Sequence, residues 1–96
     1  MATAEADLLD RRFRALADET RRRIWELLGG RPGATTAEIA AGVPRLSRWA
    51  VMKHIAVLRD ADLVQTLPRG RQRCHYRVER GLDEIRAWLR AATDPA

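Results

Sequence analysis

Apolar residues recur at helical spacing from the start of the chain. Leu8, Leu9, Phe13 and Leu16 fall on one side of a 3.6-residue period, so the N-terminal segment reads as an amphipathic helix. Asp18 follows, where its carboxylate can accept from the free N–H groups that open a second helix. That helix carries Ile24, Leu27 and Leu28 on one face, and Gly29-Gly30 is expected to end it in left-handed dihedrals. Arg31-Pro32-Gly33-Ala34 reads as a turn. Thr35-Thr36-Ala37-Glu38 fits a capping box, threonine to the N3 amide and glutamate back to the cap. It opens a short helix through Ile39 and Ala40, closed by Gly42 and Pro44.

A fourth helix is expected from Ser47, its N-cap, to Ala61. Laid out at 100° per residue, Val51, Ile55 and Leu58 form its core stripe, with Ala50 and Ala61 at the edge. His54 lies on this inner side and reads as a hydrogen-bonded core histidine. Trp49, Met52, Lys53 and Ala56 gather on the opposite side, flanked by Arg48 and Arg59. One face is therefore aliphatic, and the other mixes aromatic ring, thioether and base.

The period then changes. Leu63 to Leu67 alternates loosely, and Cys74, Tyr76 and Val78 alternate with Arg73, His75 and Arg77. Two short strands around the Gly70 tip predict a β-hairpin, with its wing at residues 68–73 bearing Arg69, Arg71 and Arg73. A last helix places Leu82, Ile85, Trp88 and Leu89 on one side and Asp83 and Glu84 in its first turn, where acids suit the helix dipole. The fold class is mainly α with a small β-hairpin. Its order (helix, helix, short helix, turn, helix, hairpin, helix) is that of a winged helix-turn-helix, in which the helix after the turn enters the major groove.

Charge sharpens this picture. The 96 residues carry a net charge of +5 and fit one domain, residues 1–96. Between Arg45 and Arg77 stand eight basic residues (Arg45, Arg48, Lys53, Arg59, Arg69, Arg71, Arg73, Arg77) against Asp60 and Asp62, so that window alone is +6. An excess concentrated on one third of the chain points to a polyanionic partner, double-stranded DNA before others. Cys74 is the one cysteine, so no intramolecular disulfide can form, and the N-terminal stretch lacks the apolar run of a signal peptide. A cytoplasmic protein that does not engage a membrane is expected.

Three segments resemble the ArsR-type winged-helix transcriptional regulators: ALADETRRRIWELL, LSRWAVMKHIAVLRDADLV and GRQRCHYRV. The likeness runs from about Phe13 to Leu89 and is most specific in the middle segment, where Ser47, Val51, Lys53, His54, Leu58, Leu63 and Val64 keep the family register. It implies a dimeric repressor that binds two-fold symmetric operators and releases them on a chemical signal. The chain departs from the family pattern at Trp49 and Met52, at Asp62, where glycine is usual, and at Ala17-Asp18-Glu19, where a proline is replaced. Asp62 suits a left-handed position, since aspartate is among the few non-glycine residues enriched there.

The residues expected to contact DNA are Thr36, Arg45, Ser47, Arg48, Trp49, Met52, Lys53, Arg59, Arg69, Arg71 and Arg73. Apolar atoms can meet thymine methyls, Arg48 and Lys53 can take guanine edges or phosphates, and the wing arginines can take phosphates or the minor groove. Leu8, Leu9 and Phe13, with Ile85, Trp88 and Leu89, exceed what a core of this size needs, and in the resembling family the terminal helices form the dimer. No metal or other cofactor is expected. Paired thiolates are missing, the last helix has no histidine, and Cys74 and His75 point to opposite faces of a strand. An enzyme is not expected either, because no nucleophile–base set or phosphate loop is present. A non-specific architectural DNA binder and a winged-helix protein-interaction module are the alternative readings. No residue pattern specifies an inducer.

Overall fold

The computed structural model describes residues 4–95, without the side chain of Glu5. Its elements are α1 (Ala4–Leu16), α2 (Glu19–Gly30), β1 (Ala34–Thr35), α3 (Thr36–Ala41), α4 (Arg48–Asp60), β2 (Val64–Arg69), β3 (Gln72–Arg77) and α5 (Gly81–Thr93). Each expected cap of the central helices is made by the expected side chain. Asp18 accepts from the Arg21 amide, Thr35 and Glu38 form the reciprocal capping box, and Ser47 Oγ accepts from the Ala50 amide at 3.1 Å. Asp62, just past the end of α4, takes a left-handed φ of 56°.

One core joins these elements. Ile24 and Leu28 of α2, Ile39 of α3, Val51 and Leu58 of α4, and Leu63 are essentially inaccessible to solvent. Side chains of this size contribute roughly 1.5–3 kcal/mol each on burial, which makes the α2–α3–α4 junction the stable centre. Trp25 extends it toward the sheet. Its indole N–H donates to the Leu63 carbonyl at 3.0 Å, and the Arg77 guanidinium lies 4.1 Å above its ring.

The structure differs from the sequence reading in three places. The hairpin is part of a three-stranded antiparallel sheet of order β1-β3-β2, because Ala34 pairs with His75 and Thr35 with Cys74. A two-residue strand carries no alternation to detect. It arises because Gly33, at φ 82°, turns the chain so that its amide donates to the His75 carbonyl at 2.9 Å. The helix α2 does not end at Gly29-Gly30 but runs through both to a cap at Arg31, so the left-handed glycine is Gly33. A side chain at Gly29 would collide with the Arg77 guanidinium, which gives that glycine a packing role. Finally, β3 does not simply alternate: His75 is buried, as Cys74 is, with Thr36 at the start of α3 and Thr66 of β2 against its ring.

Pro68 pairs with Arg73 and Arg69 with Gln72, leaving Gly70-Arg71 as a two-residue loop with φ 63° at its glycine. A positive φ at the first loop position is the geometry that matches the twist of hairpin strands. The strand β2 is an edge, where a proline costs no ladder hydrogen bond.

Candidate nucleic-acid interface

The outer face of α4 is open. Trp49 is 64% exposed and Met52 52%, and Arg48, Lys53 and Arg59 are exposed beside them. The Lys53 ammonium sits 3.9 Å from the centroid of the Trp49 ring, one helical turn away. Such a contact needs the side chains on one face, as i,i+4 spacing provides. Arg45 and Ser47 are exposed just before the helix. In the wing, Arg69, Arg71 and Arg73 are exposed. Among the described residues, Arg45, Arg48, Lys53, Arg59, Arg69, Arg71 and Arg73 make no ion pair with a carboxylate. Their charge is therefore available to an external polyanion.

Thr36 lies elsewhere. It is 7% exposed, and its hydroxyl meets His75 Nε2 at 2.8 Å. Its side chain supports the face from beneath rather than forming part of it. The other ring nitrogen, Nδ1, meets the Thr66 hydroxyl at 2.9 Å. His75 thus bridges the start of α3 to the base of the wing. Burial, reinforced by the nearby charges of Arg59 and Arg73, holds its pKa below the usual histidine value and keeps the ring neutral. Sequence alternation placed His75 outward and did not reveal this bridge. The signal that was present is two threonines, Thr36 and Thr66, able to serve both nitrogens of one imidazole.

Of two other contributors, Arg77 was not legible, whereas His54 is the inward, hydrogen-bonded histidine that was expected. Arg77, counted with the basic window, is half-buried on Trp25 and paired with Glu79, so it anchors the wing base. His54 is half-buried, and its Nδ1 lies 3.3 Å from Arg21 Nη1, linking α4 to α2. Of the apolar terminal residues, Leu8, Leu9 and Ile85 are half-buried, whereas Phe13, Trp88 and Leu89 remain 38%, 48% and 46% exposed. Phe13 and Trp88 meet edge to face with centroids 5.5 Å apart, joining α1 to α5. Among the described residues no group of three or more His, Cys, Asp or Glu side chains is placed to hold a metal ion, and no helix is long and apolar enough to cross a membrane.

A helix-turn-helix with a basic outer face and an arginine-bearing wing defines a DNA-binding transcriptional regulator, and comparison with known proteins agrees. Residues 16–66 match the helix-turn-helix domain family. The chain is 42% identical over 89 residues to the HTH-type transcriptional regulator Rv2034 of Mycobacterium tuberculosis, covering 88% of this chain and 81% of that protein. A crystal structure of an ArsR family transcriptional regulator superposes with a TM-score of 0.84 at 33% identity, over 98% of this chain and 94% of the other. An ArsR-like regulator from Rhodococcus sp. RHA1 gives 0.81 at 29% identity, over 96% and 86%. The chain belongs to the ArsR family of winged helix-turn-helix transcriptional regulators. It is a regulator, not an enzyme.

Proposed function

We propose that this regulator is a cytoplasmic homodimer that represses transcription by binding a two-fold symmetric operator. The helix α4 enters the major groove and the wing at residues 68–73 follows the backbone. The observation that carries this reading is the outer face of α4, where an indole and a thioether stand exposed among unpaired cations. Solvent gives no reason for Trp49 and Met52 to be there, whereas a groove offers thymine methyls to both and guanine edges to Arg48 and Lys53. Arg45, Arg59, Arg69, Arg71 and Arg73 serve the phosphates, with Ser47 at the N-terminus of the reading helix.

The whole chain acts as one DNA-binding domain whose terminal helices pair. The exposed Phe13–Trp88 contact and its neighbour Leu89 support pairing through α1 and α5, with Leu8, Leu9 and Ile85 around them. Two domains on half-sites about 34 Å apart double the contacts that a lone winged helix makes. Repression, rather than activation, follows the family resemblance.

Genomic footprinting of the tagged protein, with the recovered fragments rebound in vitro at two salt concentrations, tests this reading. A short inverted repeat with a steep loss of binding at higher salt is expected. Diffuse coverage without a motif would instead identify an architectural binder, and recovery of no DNA would point to a protein partner.

A further inference from the structure

Three elements converge on one buried cation. Arg12, on α1, is 3% exposed. Its Nε donates to the carbonyl of Ala61, the C-cap of α4, at 3.1 Å. Its Nη1 donates to Glu84 Oε2 in the first turn of α5 at 2.6 Å, and its Nη2 lies 3.5 Å from Asp62 Oδ2. The last carbonyls of a helix have no intrahelical partner, so this contact caps α4 from outside. The backbone of α5 is seated on the same turn. A Cβ at Gly81 would stand 2.8 Å from Leu63 Cδ2 and 3.0 Å from the Asp62 carbonyl oxygen. A planar guanidinium with donors in a fixed fork can hold three acceptors in one arrangement, which a lysine cannot.

We infer that Arg12 is a positioning residue that ties the dimer helices α1 and α5 to the C-terminal end of the reading helix α4, and so sets the spacing between the two reading helices of the dimer. The inference rests on the dimeric operator reading above. If the reading helices are fixed relative to the dimer helices, the protein tolerates one half-site separation. Each base pair added between half-sites displaces the second by about 3.4 Å and rotates it by about 34°. A fixed linkage resists that displacement, and a loosened one follows it. A buried arginine that served stability alone would lower the melting temperature on removal without altering this preference.

The experiment uses the inverted repeat selected by the wild-type protein from a random duplex library, with one base pair inserted or deleted at its centre. Wild type, Arg12→Met, Asp62→Gly and Glu84→Gln are compared for binding, dimerisation and thermal stability. Glycine at 62 accepts the left-handed φ and removes only the carboxylate, and Glu84 is half exposed, so both single variants fold even if Arg12→Met does not. Wild type is expected to lose about tenfold in affinity on either change, and the variants about threefold or less, with dimerisation retained. Folded, dimeric variants with the wild-type spacing profile would overturn this inference alone. Absence of any selected repeat for wild type would overturn the operator reading, and this inference with it.

Discussion

The Lys53 ammonium rests 3.9 Å from the centroid of the Trp49 ring. On an exposed face such a contact is worth about 0.5–1 kcal/mol, enough to bias both side chains toward one arrangement before DNA arrives. The outer face of α4 is thus partly ordered in the free protein. If the pair docks as a unit, Trp49→Ala and Lys53→Ala are not independent. A double-mutant cycle on operator affinity is expected to give a coupling of about 0.5–1 kcal/mol, and additive losses would show that the two side chains act separately. Met52→Ala is expected to relax preference at one base step by about 1 kcal/mol, read from affinities for operator variants at that step.

The wing arginines are expected to behave differently. Arg71 stands in the two-residue loop of the hairpin, exposed and without a carboxylate partner. Arg71→Ala should weaken all sequences alike and reduce the slope of log affinity against log salt by about 1. A loss confined to one operator position would instead make Arg71 a base reader.

His75 makes stability depend on pH. Its pKa is lowered by burial first, then by Arg59 and Arg73, so below the ordinary histidine value of about 6.5 the unfolded chain binds a proton that the folded chain refuses. Stability is complete above that value and falls as pH drops through it. Thermal melting between pH 7.5 and about 5 is expected to show this decline, and His75→Gln, less stable throughout, should flatten it. An equal decline in the variant would assign it to other groups.

Trp88 is 48% exposed and touches Phe13 across the α1–α5 contact. Trp88→Asp is expected to give folded monomers in sedimentation, with little change in melting at infinite dilution. A stable dimer of this variant would place the interface elsewhere. By contrast Leu58→Ala, at a fully buried site, should cost about 2–5 kcal/mol in denaturant unfolding.

Much of the fold could be read from the chain because the information is local. Asp18, Thr35 and Ser47 sit within three residues of the amides they cap, and the stripe of Val51, Ile55 and Leu58 repeats with the helix. The outer face of α4 followed from the same periodicity. What escaped is tertiary. Arg12 binds partners 49 and 72 residues away, and nothing in DLLDRRF separates it from its exposed neighbour Arg11. His75 is buried against Thr36, 39 residues away, and the same contact turns the Thr36 hydroxyl inward. Arg77 counts in the basic window of the sequence, and nothing local shows that its guanidinium lies over Trp25.

The central claim is that α4 and the wing together read a particular DNA sequence. Its most direct measurement is the affinity of the wild-type protein for its selected inverted repeat and for a scrambled duplex of equal length, each titrated across salt. The expected result is two chains per duplex, a steep salt slope on both DNAs, and a preference for the repeat of about 10³-fold or more. Equal affinities for the two duplexes at every salt concentration would contradict it.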